Sequence, residues 1–232
     1  MRPPEHTAHR HSPESGLAQN EAVNLLGDFS AFLQQVGVRG LSVEFVPSAP
    51  AAAALAITEI SALRTFLDTY AAQVLVPIEL PSIFKACNHV RRGECRELVA
   101  LDVELAAEQR LAPFAPASKH VGVSQLLRLK PLRDERTVQR YLIAVKTGQA
   151  SGWHTLVYGL TLAVYSLPLR QGLLHYGRET LSALARAAAG TERYLAPDCQ
   201  EMLGAILDRL PEAVERAVAT DDGLIVPLQK YL

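Results

Sequence analysis

The stretch ITEISALRTFLDTYAAQVLVPIELPSIFKAC, residues 57–87, decides the fold class. Ile60, Leu63, Phe66, Leu67, Tyr70 and Val74 recur at intervals of three and four, which gathers apolar side chains on one face of an α-helix. Pro77 is expected to stop that helix, because it lacks an amide proton and its ring crowds the preceding turn. A second helix is then expected to open at Pro81, a favourable first-turn position, and to bury Ile83, Phe84, Cys87 and Val90 before Gly93.

Downstream the helical pattern continues almost without pause. A third helix sets Leu98, Leu101 and Leu105 on one face, with Asp102, Glu104 and Glu108 expected on the solvated side. A fourth runs from about Pro116 to Leu129 and is broken by Pro131, and a fifth holds Val138, Tyr141, Leu142 and Val145. The loop KTGQASG precedes an apolar helix from Trp153 to Tyr165. Ser166 and Pro168 start a long helix that passes Leu173, Tyr176, Leu181 and Leu184 on its way to Gly190. A last pair spans Pro197 to Leu210 and Pro211 to Ala219.

Upstream the pattern weakens. Asn20 to Val36 reads as one helix, with Val23, Leu26, Phe29, Leu33 and Val36 as its stripe. Leu41, Val43 and Phe45 alternate as in a short strand, before Pro47, Pro50 and four alanines. Residues 1–18 carry hardly any large apolar side chain and cannot offset their ordering entropy, so a tail is expected there. The fold expected is all-α, a single compact multi-helix bundle over residues 20–220, flanked by a tail at 1–19 and another at 221–232. One core should contain Leu101, Leu105, Leu127, Tyr158, Leu173, Tyr176 and Leu203.

A formal net charge of -1 offers no overall attraction to nucleic acid or to an anionic membrane. The pair Arg91-Arg92 reads as a solvated helix end. The apolar window Thr155–Leu169 is too short to span a bilayer and is interrupted by Gly159 and Pro168. The N-terminus has no apolar signal core, so a cytoplasmic location is expected. Cys87, Cys95 and Cys199 form no CxxC pair and read as reduced thiols.

The sequence contains no GxxxxGK[ST], GxGxxG after a strand, HExxH or GxSxG, and no nucleophile stands with a base, so no enzyme is expected. The histidines His89, His120, His154 and His175 stand alone and read as half-buried or exposed, with His154 beside Trp153 the one to watch. His6, His9 and His11 in the tail are a weak candidate set for nickel or zinc, since flexible imidazoles bind such ions poorly without preorganisation.

Read in order, several segments resemble the urease accessory protein F family. Besides residues 57–87 these are RGECRELVALDVELAAE, ASKHVGVSQLLRL, HTLVYGLTLAVYSLPLRQGLLHYGRETLSALAR and DCQEMLGAILDRLPEAVERAV, a collinear series over roughly 57–219. The matching positions include Ser118, Gly122, Arg128, His154, Gly159, Tyr176, Arg186 and Gln200, candidates for structural or interface roles. The resemblance implies a helical maturation scaffold without catalytic turnover or a permanently bound cofactor, with nickel handled only indirectly. It implies partners of the UreD/UreH type, a UreG-type GTPase and the urease apoprotein, with a homodimer contact as a further option. The departures fall in residues 38–56, in the APFAP stretch before Ala117-Ser118 and in residues 187–199, and an apolar contact patch is expected at 38–56, at 187–199 or on the Pro168–Ala189 helix. The alternatives are a helical interaction protein that kept the fold without the urease role, and a helical enzyme with a site between helices.

Overall fold

A computed structural model describes residues 49–222 of the chain. Its first long feature is a continuous helical rod. Helix α2 (Ile60–Tyr70), preceded by the short α1 (Ala49–Ala53), runs into a π-helical segment (Ala71–Glu79) and on into α3 (Leu80–Arg91). The helix therefore does not stop at Pro77, contrary to expectation: the proline lies inside the π segment. Bonding to the fifth residue, as when Leu80 N–H donates to Leu75 O, widens the coil and gives a proline ring the room that an α-helical turn denies it. Leu63, Leu67 and Tyr70 are buried from α2, Val74 and Ile78 from the π segment, and Ile83, Phe84 and Cys87 from α3.

Helices α4 (Cys95–Ala107), α5 (Ala115–Arg128), α6 (Arg136–Lys146), α7 (His154–Val164) and α8 (Leu169–Ala189) follow, with a 3-10 turn (Gln109–Phe114) before α5. The short α9 (Thr191–Tyr194), α10 (Pro197–Leu207) and α11 (Leu210–Asp222) complete the described chain. The fold is all-α, with no strand among the described residues. Helix α7 lies at the centre, packed on α3 and α5, while α8 packs against α1, α2, α3, α9 and α11. The helix expected at Asn20–Val36, the alternation at Leu41, Val43 and Phe45, and the 1–19 tail lie outside the described residues, as do residues beyond 222.

Leu101, Leu105, Tyr158, Leu173, Tyr176 and Leu203 share one core, but Leu127 is 46% exposed and leaves it. Helix α5 instead buries Ser118, Gly122, Gln125 and Leu126, a stripe at helical spacing from which Leu127 is turned by about 100°. Adjacent leucines cannot be told apart by composition, and the small and polar residues define the inward face here. Leu126→Ala is expected to cost about 2–5 kcal/mol in denaturant unfolding, and Leu127→Ala less than about 0.5 kcal/mol. Equal losses from both would contradict this register.

Candidate functional site

Helix α7 begins with no side-chain cap of its own, so its first amide groups need partners from elsewhere. Asp102 on α4 supplies them. Its carboxyl oxygens accept from Ser151 N at 2.5 Å, Gly152 N at 2.9 Å and Trp153 N at 3.4 Å, and from the Tyr141 hydroxyl of α6 at 2.6 Å. The Ser118 hydroxyl of α5 accepts the next amide, His154 N, at 3.2 Å. Three helices thus form a collar around the start of a fourth.

Asp102 was expected on the solvated face with Glu104 and Glu108, and the structure corrects this: it is 0% exposed, while Glu104 lies outside. An acid one residue past Leu101 falls next to the buried stripe, and the four donors offset its desolvation. The collar also needs Gly122. A Cβ at that position would lie 2.1 Å from Gly152 O and 2.7 Å from His154 N, so only glycine lets α5 reach the loop. Gly159 does the same between α7 and α3, where a Cβ would stand 2.5 Å from Ile83 O. Lys119 closes the outer side, its Nζ 5.1 Å from the centre of the Trp153 ring.

Beneath the collar lies a second buried group. The rings of His154 and Tyr176 are 5.7 Å apart between centroids, and Tyr158 meets Tyr176 edge-on at 5.1 Å. The Tyr158 hydroxyl donates to Gly172 O at 2.8 Å. Glu79 of the π segment is buried, and the nearby hydroxyls of Tyr70 and Tyr176 favour its ionised form. Burial pushes the Glu79 carboxyl up to about 7, and its Oε2 has no hydrogen-bond partner. His154 is 4% exposed with neither ring nitrogen partnered, and burial pushes its imidazole down to about 4. His175 is also buried and lowered to about 4 by desolvation. Both histidines therefore depart from the half-buried or exposed placement expected of them. Each lies among the buried residues of its helix, His154 on α7 and His175 on α8.

A neutral buried imidazole links stability to pH. Between the ordinary value of 6.5 and about 4 the unfolded chain holds a proton on this residue that the folded chain does not. Stability from a neutral His154 is thus present above pH 6.5 and lost as pH falls toward 4. His154→Phe is expected to remove about 3 kcal/mol of acid-side dependence relative to the parent chain, leaving the share carried by His175. Parallel urea titrations across that window measure the difference. Unchanged slopes would place the proton elsewhere.

The remaining family-matching residues lie apart from these groups. Arg128 is exposed at the C-terminal end of α5, where a cation suits the helix dipole. Arg186 is exposed on α8 with its guanidinium 4.8 Å from the Tyr194 ring centre. Gln200 on α10 is exposed and donates to Tyr194 O. The structure thus brings Ser118, Gly122, His154, Gly159 and Tyr176 into contact with or around α7, and leaves Arg128, Arg186 and Gln200 at the surface. Sequence reasoning missed Glu79 and Tyr141 as members of these groups. Tyr141 was placed in the buried stripe of its helix, but nothing local marks either as a polar partner.

The expected docking face on α8 is also corrected. That helix is buried along most of its length, and its exposed residues are Arg170 and Arg186. Leu55 and Leu195 are exposed within the segments 38–56 and 187–199. At the α3 end, Arg91 donates to Leu167 O at 3.1 Å and Arg92 pairs with Glu94 at 2.9 Å, so the basic pair ties helices as well as meeting solvent. A shallow groove of about 400 Å³ there is lined by Phe84, Arg91, Leu169, Arg170, Gln171 and Val218.

Cys87, Cys95 and Cys199 are free thiols. Among the described residues no three His, Cys, Asp or Glu side chains gather as a metal site, and no helix is long and apolar enough to cross a membrane. His6, His9 and His11 lie outside the described residues. The family model described as UreF matches residues 57–190, from the approach to α2 through the end of α8. No curated protein matches the chain.

Proposed function

The chain belongs to the UreF family of urease accessory proteins, and from that premise we propose that it is a scaffold in urease maturation that assists nickel insertion by binding other accessory proteins. The observation that carries this reading is the family match itself, which takes in the rod, the collar and the α7–α8 core. The partners implied are a UreD/UreH-type subunit, a UreG-type GTPase and the urease apoprotein, with nickel as cargo rather than a resident cofactor. A scaffold acts through a rigid presentation of surface, and the collar and glycine crossings supply that rigidity. Arg128, Arg186 and Gln200 are the family-matching side chains exposed for contact.

Co-expression with the urease structural subunits and each accessory protein tests the proposal. The expected result is co-purification of the chain with the UreD/UreH-type subunit, and urease activity that depends on the chain and on nickel. Substituting Arg128 and Arg186 together by alanine should weaken that complex at least about tenfold while the helical circular dichroism signal is kept. A chain that captures none of these partners, with urease fully active in its absence, would refute the reading.

A further inference from the structure

Helices α5 and α6 pack on each other as a hairpin, and the turn between them is tied down at several points. Leu129 is buried in it, and Leu132 N donates to Leu129 O at 3.0 Å. The Gln139 side chain of α6 donates to Lys130 O at 3.2 Å and to Leu132 O at 2.9 Å. Two of the five large apolar side chains exposed among the described residues stand beside this turn. Leu127 precedes Lys130 by three residues. Ile143, 59% exposed, follows Gln139 by four, one turn further along the same side of α6.

The charge around them is one-sided. Residues 127–146 carry six Lys and Arg against two Asp and Glu, in a chain whose formal net charge is -1. Lys130, Arg133, Arg136, Arg140 and Lys146 are all exposed, and among the described residues no carboxylate pairs with any of them. Arg136, Arg140 and Ile143 fall at i, i+4 and i+7, so cations and an apolar side chain share the outward face of α6. On the neighbouring α4, Glu97 acts on Cys95 as Arg140 does, yet no ion pair joins the two.

We propose that this end of the α5–α6 hairpin is a docking surface for an acidic amphipathic segment of a protein partner. Leu127 and Ile143 would take its apolar side chains, and Lys130, Arg136 and Arg140 its carboxylates. Charge complementarity selects this occupant. The field of exposed cations fades within about 10 Å in ordinary salt, so a short acidic segment seated here meets only the local basic excess. Nucleic acid and anionic membrane are extended polyanions and meet the rest of the chain, where acids outnumber bases. Two apolar side chains also fall short of the broad stripe by which a helix lies on a membrane. They suit a protein contact, in which a few anchors carry most of the energy. The tied-down turn keeps the cost of ordering this surface low. The inference does not depend on the maturation role.

Fluorescence anisotropy of a labelled peptide with the full chain tests it. The probe is a helical peptide of about 18 residues with leucines on one face and glutamates flanking them, set against a copy with lysine for each glutamate. The glutamate peptide should bind at least about tenfold more tightly than the lysine one. Raising sodium chloride from about 50 mM to about 500 mM should weaken it about tenfold. Arg136→Glu together with Arg140→Glu should weaken it at least about tenfold, whereas Arg64→Glu, exposed on α2, should leave it unchanged. Ile143→Ser should weaken it about fivefold and serves as the test if the double variant does not fold. Equal binding of the two peptides, binding of neither, or an equal loss in Arg64→Glu would overturn the docking surface. So would binding of a single-stranded oligonucleotide or of phosphatidylserine vesicles without binding of the glutamate peptide.

Discussion

Asp102→Ala is expected to lower the free energy of unfolding by about 3–5 kcal/mol and the thermal midpoint by roughly 10 °C, among the largest effects of any single substitution in this protein. The reason is the number of donors left behind. Ser151 N, Gly152 N, Trp153 N and the Tyr141 hydroxyl all converge on this one side chain, and Gly152 and Trp153 are buried. Removing the acceptor strands them where water does not replace it. Asp102→Asn should recover less than half of the loss, because its amide nitrogen meets donors with another donor. Exchange of the Ser151–Trp153 amides should quicken along with the loss of stability. A drop below about 1 kcal/mol would mean that water enters the collar, and the start of α7 would then not depend on Asp102.

Gly122→Ala should be comparably severe, costing about 2–4 kcal/mol, since a methyl group 2.1 Å from Gly152 O forces backbone apart rather than a flexible side chain. The displacement would also pull the Ser118 hydroxyl away from His154 N. Gly204→Ala is the internal control. Gly204 lies inside α10 with nothing near the position of an added Cβ, so alanine there should stabilise by about 0.5–1 kcal/mol through helix propensity. Urea unfolding of the two variants gives opposite signs if the close approach, and not glycine content, is what matters. Two changes of the same sign would refute the argument.

Repetition made the helices legible. Leu63, Leu67, Tyr70 and Val74, or Leu98, Leu101 and Leu105, announce a buried face through spacing alone, and that pattern carried the all-α class and the order of the segments from residue 57 onward. The collinear segments likewise sufficed for the family, because a series of weak matches in order constrains more than any one of them. Local rules failed where distant chain decides. Pro77 breaks an isolated helix, yet continues one here because a π stretch buried by its neighbours accommodates it. Leu126 and Leu127 have the same chemistry, and only the approach of Gly122 to Gly152 selects which one faces inward.

The buried polar groups were the least legible. Asp102 meets its donors 39 to 51 residues downstream, and no period in the sequence connects them. Glu79 sits beside apolar residues like any surface acid next to a core stripe, yet it is buried in the fold. By itself, then, the sequence determined which segments are helical and which faces are apolar, since those depend on neighbours within a few turns. The tertiary structure alone decided which polar side chains go inside, because a buried hydrogen bond is made only when a partner from elsewhere in the chain is brought to it.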